Sequence, residues 1–330
     1  MKFEREKCEL CGECLANCLY LGYDLERAKA EITKLYQGES SEVLERCITC
    51  FGCEEYCPNQ AHPFDLILEG MAKHNRKPVS PEMIQMMEAR YHSDRAYQPP
   101  EISELVIDGC VFYKTHPHLF QGPLFEGATI LRGRPVFCYV LFLHLGDREV
   151  LETRAPQVIA NLEKSGAREI IFFHDDCYAL VHNFAPRMGL KMSFSALHIL
   201  EYIRRWLEEH RERIQRLNLK IAYQRPCASR YSPEKDKELE RIFELVGVER
   251  VKRKYDRERA LCCGGAFLAR GNPPREIQLR NLEDALEAGA KELVCLCPVC
   301  MDMLSSPAQE LGFKLTHIIE LVNQAIGFEI

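Results

Sequence analysis

The stretch Gly166-Ala167-Arg168-Glu169-Ile170-Ile171-Phe172-Phe173-His174-Asp175-Asp176-Cys177 aligns without a gap with Gly289-Ala290-Lys291-Glu292-Leu293-Val294-Cys295-Leu296-Cys297-Pro298-Val299-Cys300. Each copy runs from a glycine through a short β-rich segment into the start of a helical pattern, which is the signature of a βα unit. The register persists from Gly189-Leu190-Lys191-Met192-Ser193 against Gly312-Phe313-Lys314-Leu315-Thr316. A four-residue slip then sets His198-Ile199-Leu200-Glu201 on His317-Ile318-Ile319-Glu320. Upstream, Cys138 in Pro135-Val136-Phe137-Cys138 is matched to Cys227, which follows Ile221-Ala222-Tyr223-Gln224-Arg225-Pro226. Such self-similarity marks a duplication, and short strands alternating with longer helices mark parallel α/β architecture. A degenerate repeat is expected at about 134–203 and a complete one at about 219–325. Cys227 and Gly289 lie 62 positions apart, whereas Cys138 and Gly166 lie 28 apart. The first copy is therefore expected to lack the equivalent of Cys262-Cys263-Gly264-Gly265, and it carries His174 where the second has Cys297.

Outward from this repeat, the chain of 330 residues is 46% hydrophobic and 28% charged, which excludes a disordered or fibrous protein. A net charge of −6 gives no reason to expect a nucleic-acid partner. Seventeen cysteines in so long a chain do not describe a disulfide-stapled secreted scaffold. The opening Met1-Lys2-Phe3-Glu4-Arg5-Glu6-Lys7 does not read as a secretory leader. The longest near-apolar run, Pro135 to Leu145, falls well short of the ~20 residues that span a bilayer. The expectation is a cytoplasmic protein, or one peripheral to a membrane complex, that keeps its thiols for metals or redox chemistry. Gln98-Pro99-Pro100 reads as a stiff joint between residues 1–98 and 99–330. Before it, Leu25 to Tyr36, Glu42 to Arg46 (with Ser40 or Ser41 as N-cap) and Met83 to Tyr91 read as helices.

The helical part carries Cys8-x2-Cys11-x2-Cys14-x3-Cys18 and again Cys47-x2-Cys50-x2-Cys53-x3-Cys57-Pro58. This is bacterial ferredoxin spacing, in which the fourth cysteine of each run ligates the other cluster. Cys8, Cys11, Cys14 and Cys57 are expected to hold one 4Fe–4S cubane, and Cys47, Cys50, Cys53 and Cys18 a second. Two zinc sites, each of four cysteines, are the alternative, although zinc does not require the doubled four-cysteine run.

The complete repeat adds Cys227, Cys262, Cys263, Cys297 and Cys300. Cys227 and Cys297 follow expected strands (Leu219 to Tyr223 and Glu292 to Leu296), so both belong at C-terminal strand ends, where ligand crevices form. Cys300 falls near the start of a helix beginning around Pro298, where backbone amides favour thiolate. Gly264-Gly265 permits a turn that lets both adjacent sulfurs approach one site. Five thiolates exceed a tetrahedral zinc and suit a larger iron–sulfur assembly.

With the motif Cys227…Cys262-Cys263-Gly264…Cys297-Pro298-x-Cys300 and the long helical insert between Cys18 and Cys47, the chain resembles the heterodisulfide reductase group. Those proteins fuse a helical dicluster ferredoxin module to a cysteine-rich CCG domain, and the likeness covers nearly the whole chain. It departs at Leu19, where a proline often stands, and in the incomplete first repeat. The resemblance implies a fold of class α+α/β, a helical ferredoxin domain followed by a duplicated α/β CCG domain. It also implies that the five second-copy cysteines hold a noncubane 4Fe–4S cluster that makes or breaks a disulfide.

Two functions follow as expectations. In the first, electrons pass through the two cubanes to the noncubane cluster, which reduces a low-molecular-weight heterodisulfide or a protein disulfide. In the second, the chain is an electron-relay subunit of a larger anaerobic dehydrogenase or bifurcating complex and has no disulfide substrate of its own. No glycine-rich dinucleotide fingerprint occurs, so a flavin or nicotinamide is expected on a partner, either a flavoprotein or a membrane cytochrome-type subunit. Cys138, His174 and Cys177 are expected to pack as remnants of a decayed site; a substrate pocket, another metal or a proton donor are the alternatives. Asp175 and Asp176 read as helix caps, Cys110 and Cys295 as small hydrophobes, and His198 and His317 as structural features of the repeat. The basic run Arg250, Lys252, Arg253, Lys254, Arg257, Arg259 reads as a solvated face, or else as a surface steering an anionic partner.

Overall fold

The computed structural model describes residues 1–93, 95–271 and 274–328. The N-terminal part is helical. Leu25–Gln37 opens on Asp24, whose side chain accepts from the Arg27 N–H, and stops at Gly38 in the left-handed conformation. Its buried stripe of Ala28, Ile32 and Leu35 faces helix Pro63–Lys73. The next segment is helical over Val43–Arg46, one residue shorter than expected. The Ser41 hydroxyl accepts from the Val43 N–H and donates to the Glu31 carboxylate. Pro81–Tyr91 opens on Ser80, with proline in the first turn where no N–H is required.

Among the described residues eight strands follow: β1 Val106–Cys110, β2 Thr129–Arg132, β3 Glu169–Phe172, β4 Ser195–His198, β5 Leu219–Gln224, β6 Val248–Arg250, β7 Glu292–Cys295 and β8 Lys314–His317. They form two parallel four-stranded sheets, β2-β1-β3-β4 and β6-β5-β7-β8. The strand order is the same in both, as duplication requires. In the first sheet Ile171 pairs with Ile107 and Phe172 with Asp108. In the second Val294 pairs with Tyr223 and Cys295 with Gln224. The repeat alignment equates β3 with β7, so these registers equate β1 with β5.

That equivalence corrects two expectations. The first sheet begins at Val106, so the first unit starts well before residue 134. Pro135-Val136 is not a strand end but part of a 3-10 turn, Arg134–Val136, that follows β2. Cys138 thus takes the place after β2 that Cys262-Cys263 takes after β6, and it is not the counterpart of Cys227. The end of β1, where that counterpart belongs, carries Cys110 after a register shift between Asp108 and Cys110. The physical reason is that Val106-Ile107-Asp108-Gly109-Cys110 does not look like a strand: aspartate and glycine are poor strand residues. Here all five residues are buried in the sheet's centre, and tertiary burial overrides propensity.

One apolar core joins the helical part (Phe3, Leu15, Ile32, Leu44, Phe64) to the first α/β unit (Phe142, Leu151, Phe172, Phe184). A second core lies between the sheets, with Ile107, Ile171 and Leu197 from one and Ile221, Tyr223 and Val294 from the other. Each such side chain contributes roughly 1.5–3 kcal/mol on burial. The shared cores hold the C-terminal strand ends of the two sheets close together.

Candidate metal centres

The two ferredoxin-like runs are wound in the same way. Leu10 (φ 56°) and Gly12 (φ 79°) in the first match Thr49 (φ 60°) and Phe51 (φ 63°) in the second. Left-handed residues at these two places curl each loop so that its cysteines point to one side. At Gly12 a side chain would meet the Lys29 backbone at 2.8 Å, so glycine is required there. Backbone N–H groups point at the sulfurs: Thr49 to Cys47 and Ala61 to Cys57, both at 3.3 Å.

The neighbours of each thiol sort the eight cysteines into two groups. Burial raises the Cys14 thiol, and the charges of Cys57, Cys11 and Cys8 add to it. Burial also pushes Cys47 up to about 12, reinforced by Cys50 and Cys18, and Cys18 up to about 11, reinforced by Cys50. Cys53 is raised well above the ordinary range by burial, then by the charges of Glu54, Cys47, Cys14 and Cys50. The structure therefore brings Cys57 to the first run and Cys18 to the second. A small cavity lined by Cys8, Cys11, Cys14 and Cys57 is walled by Phe3, Ile32 and Ala61. Sulfurs gathered in apolar surroundings fit a cationic iron cluster, whose charge offsets that of the thiolates.

The five cysteines of the second unit also converge. Cys227 opens a short turn after β5. Cys297 is the N-cap of helix Pro298–Glu310, and Cys300 lies in that helix's first turn. Each thiol is perturbed by the next, Cys227 by Cys262, Cys262 by Cys263, Cys263 by Cys300 and Cys300 by Cys297, and all five pack in one apolar cluster. The neighbouring Cys262 and Cys300 hold the Cys263 thiol down at about 6 against burial. Cys300, followed by the neighbouring His174, holds Cys297 down at about 6. Gly264 turns the chain after the cysteine pair at φ 104°, and a side chain there would lie 2.6 Å from Pro274 and 2.9 Å from Gln278. The Gln278 amide fixes this turn by donating to the Cys263 carbonyl at 3.2 Å and to the Met303 carbonyl at 2.6 Å. Five sulfurs in one continuous set fit a polynuclear cluster and exceed a tetrahedral ion.

This set adjoins the helical domain. Burial pushes the Cys50 thiol up to about 11, and the largest charge adding to it is that of Cys227. Around that contact, the Tyr20 hydroxyl accepts from the Cys262 N–H at 2.7 Å, and Arg270 donates to the Leu44 and Cys47 carbonyls. Buried Arg225 and Arg230 both pair with Glu55 at 2.7 Å. Sequence reasoning missed Tyr20, Glu55, Arg225, Arg230 and Arg270, because nothing in a single sequence announces a partner so distant along the chain.

The first unit keeps a different arrangement. Cys110, Cys138 and Cys177, all buried, share one core cluster at the end of its sheet, and the Cys110 N–H donates to the Asp108 carboxylate at 2.9 Å. Cys110 is therefore part of a thiol trio and not an isolated filler. His174, His198 and His317 each cap the helix that follows them through Nδ1. Asp175 is not a cap: it is fully buried and paired with Lys235 and with the Ser229 hydroxyl at 2.7 Å. Nor is the basic run a solvated face throughout. Arg250 is buried between Glu240 and Asp256, and Arg253 bonds Asn281 and the Tyr223 carbonyl.

Comparison with known proteins agrees with this geometry. Residues 1–58 match the model of the 4Fe-4S dicluster domain, and residues 221–305 match the CCG cysteine-rich domain. The chain is 23% identical to the glycolate oxidase iron-sulfur subunit of Escherichia coli (strain K12), over 98% of this chain and 94% of the relative. It is 24% identical to the probable iron-sulfur-binding oxidoreductase FadF of Bacillus subtilis (strain 168), over 55% of this chain but only 27% of that longer one. A hypothetical protein from Helicobacter pylori shares the fold, with a TM-score of 0.60 and 12% identity over 92% of this chain and 64% of its own. Among the described residues no helix is long and apolar enough to cross a membrane. The chain joins a 4Fe-4S dicluster domain to a CCG cysteine-rich domain, and it is an iron–sulfur protein of the electron-transferring, oxidoreductase kind.

Proposed function

We propose that this subunit relays electrons through two 4Fe–4S cubanes, held by Cys8, Cys11, Cys14, Cys57 and by Cys47, Cys50, Cys53, Cys18, to a noncubane cluster held by Cys227, Cys262, Cys263, Cys297 and Cys300. The observation that carries the reading is the succession of packed thiols: Cys14 and Cys53 share one core, and Cys50 and Cys227 both pack against the cluster that contains Cys262, Cys263, Cys297 and Cys300. When bound, the clusters supply one-electron steps. The chain's own residues supply fixed spacing, exclusion of water and hydrogen bonds to sulfur. The partner at the far end is a dehydrogenase or membrane cytochrome-type subunit. The relative matched over nearly its whole length, an iron–sulfur subunit of an oxidase, supports that placement. The test is electron transfer in the purified complex. Cys263→Ser should abolish transfer to the terminal acceptor while the cubanes remain reducible, and normal transfer in that variant sinks the relay reading.

A second reading, reduction of a disulfide at the five-cysteine set, is supported by the number of sulfurs, which exceeds what a single ion requires. Incubating the reduced protein with low-molecular-weight and protein disulfides should release thiol above background. Absence of release leaves the relay as the function.

A further inference from the structure

One side chain of the first unit reaches into the five-cysteine set of the second. His174 occupies the repeat position of Cys297, at the end of β3, as Cys297 does at the end of β7. Its imidazole is buried, and Nε2 lies 3.1 Å from the Cys297 sulfur. The other ring nitrogen has a fixed role: Nδ1 accepts from the Asp176 backbone N–H at 3.4 Å, as the N-cap of the helix that follows. A nitrogen that accepts cannot carry the proton, so Nε2 holds it and donates to sulfur. The ring of Phe112, 4.5 Å from the imidazole centre to centre, covers it.

The related histidines show that the capping half of this device belongs to the fold. His198 and His317 also cap through Nδ1, with 3.2 Å and 3.3 Å bonds from Leu200 and Ile319. Their outer nitrogens face other groups: His317 Nε2 donates to the Leu296 carbonyl at 2.7 Å, and His198 Nε2 lies 3.5 Å from Asp175. Of the three, His174 alone aims its N–H at a cysteine of the five.

We propose that His174 is a second-sphere N–H···S donor from the first α/β unit that raises the reduction potential of the cluster held by Cys297 and its four companions. This rests on the reading that Cys297 is a cluster ligand. Reduction adds negative charge to the cluster and its thiolates, and an N–H aimed at a ligand sulfur stabilises that state more than the oxidised one. Burial keeps water from competing for the sulfur. The loss of a ligand in the first copy thus becomes a tuning contact for the second. His174 acts through Cys297 and is a positioning residue, not a catalytic one.

The test uses the full-length, cluster-loaded protein in an EPR-monitored redox titration. His174→Phe removes the donor but keeps a planar ring, and it should weaken the one-electron reduction equilibrium of this cluster about tenfold, or about 59 mV toward lower potential. His174→Gln, which retains an N–H, should fall between Phe and the native protein. The potentials of the other clusters should not move. Electron–nuclear double resonance should show one exchangeable-proton coupling in the native protein that is lost in His174→Phe, while that of the Gly264 N–H on the Cys262 sulfur remains. An unchanged potential in His174→Phe with full iron content overturns the proposal. Loss of this cluster's iron in both variants also overturns it, by making His174 a ligand or a structural residue. Cys297→Ser separates the two readings: if it leaves the cluster's iron and signal unchanged, the ligand assignment itself fails whatever His174 does.

Discussion

At the scale of single residues, Asp175 shows how the site is braced from behind. In the sequence it is legible only as a polar residue beside a helix start, which makes it look like a cap. The structure gives the cap to His174 and places Asp175 beneath the turn that carries Cys227, bonded to Lys235 and Ser229. Burial opposes its charge, but Lys235 and His198 outweigh burial and hold the carboxyl well below its ordinary range. The sign follows: the pair's contribution is fully present above the unfolded value of about 3.9, and is lost as pH falls toward the lower folded value. Asp175→Asn should cost about 3–5 kcal/mol, because it leaves Lys235 buried without its anion. Denaturant titration measures the loss. Below about pH 4 the variant should also show a shallower fall in stability than the native protein, and parallel curves would mean that the pair does not couple folding to protons.

At the scale of elements, the cysteine runs are legible because ligand spacing is set by local chain geometry. Their left-handed residues are not, since only Gly12 among the four is glycine. The first sheet is hidden for a related reason: β1 has weak strand chemistry, and the turn at Pro135 precedes a cysteine just as a strand end would. The alignment of Cys138 with Cys227 satisfies sequence similarity, whereas only pairing register shows which strands correspond. The turn after Cys262-Cys263 is where local sequence and site agree most closely. Gly264→Ala forces a positive φ on an alanine, at roughly 1–2 kcal/mol, and drives its Cβ against Pro274 and Gln278. The expected outcome is loss of iron from the five-cysteine set alone. Iron analysis with EPR reads it, and full iron content would show that the turn can relax.

At the scale of the whole molecule, the helical domain and the second α/β unit touch where electrons would cross. The residues responsible come from opposite ends of the sequence, so no local pattern marks them. Glu55, in the short helix that contains Cys53, receives both Arg225 and Arg230, which flank Cys227. Arg230 also donates to the Ala260 carbonyl, next to the loop bearing Cys262. One carboxylate thus holds two cysteine-bearing segments of the second unit against the ferredoxin-like motif. Glu55→Gln keeps the shape and removes the charge, leaving buried Arg230 without its anion and Arg225 with only the longer 3.7 Å pair to Asp236, at a cost of about 3–5 kcal/mol. The cysteines themselves are untouched, so iron content should hold while the contact between Cys50 and Cys227 loosens. Freeze-quench EPR on the reduced variant should therefore show slower arrival of electrons at the five-cysteine cluster, with the cubanes reduced at the native rate. Denaturation should show the helical domain separating before the sheets unfold. If stability changes by less than about 1 kcal/mol and the transfer rate is native, the two domains are held by their shared apolar core and not by this charge.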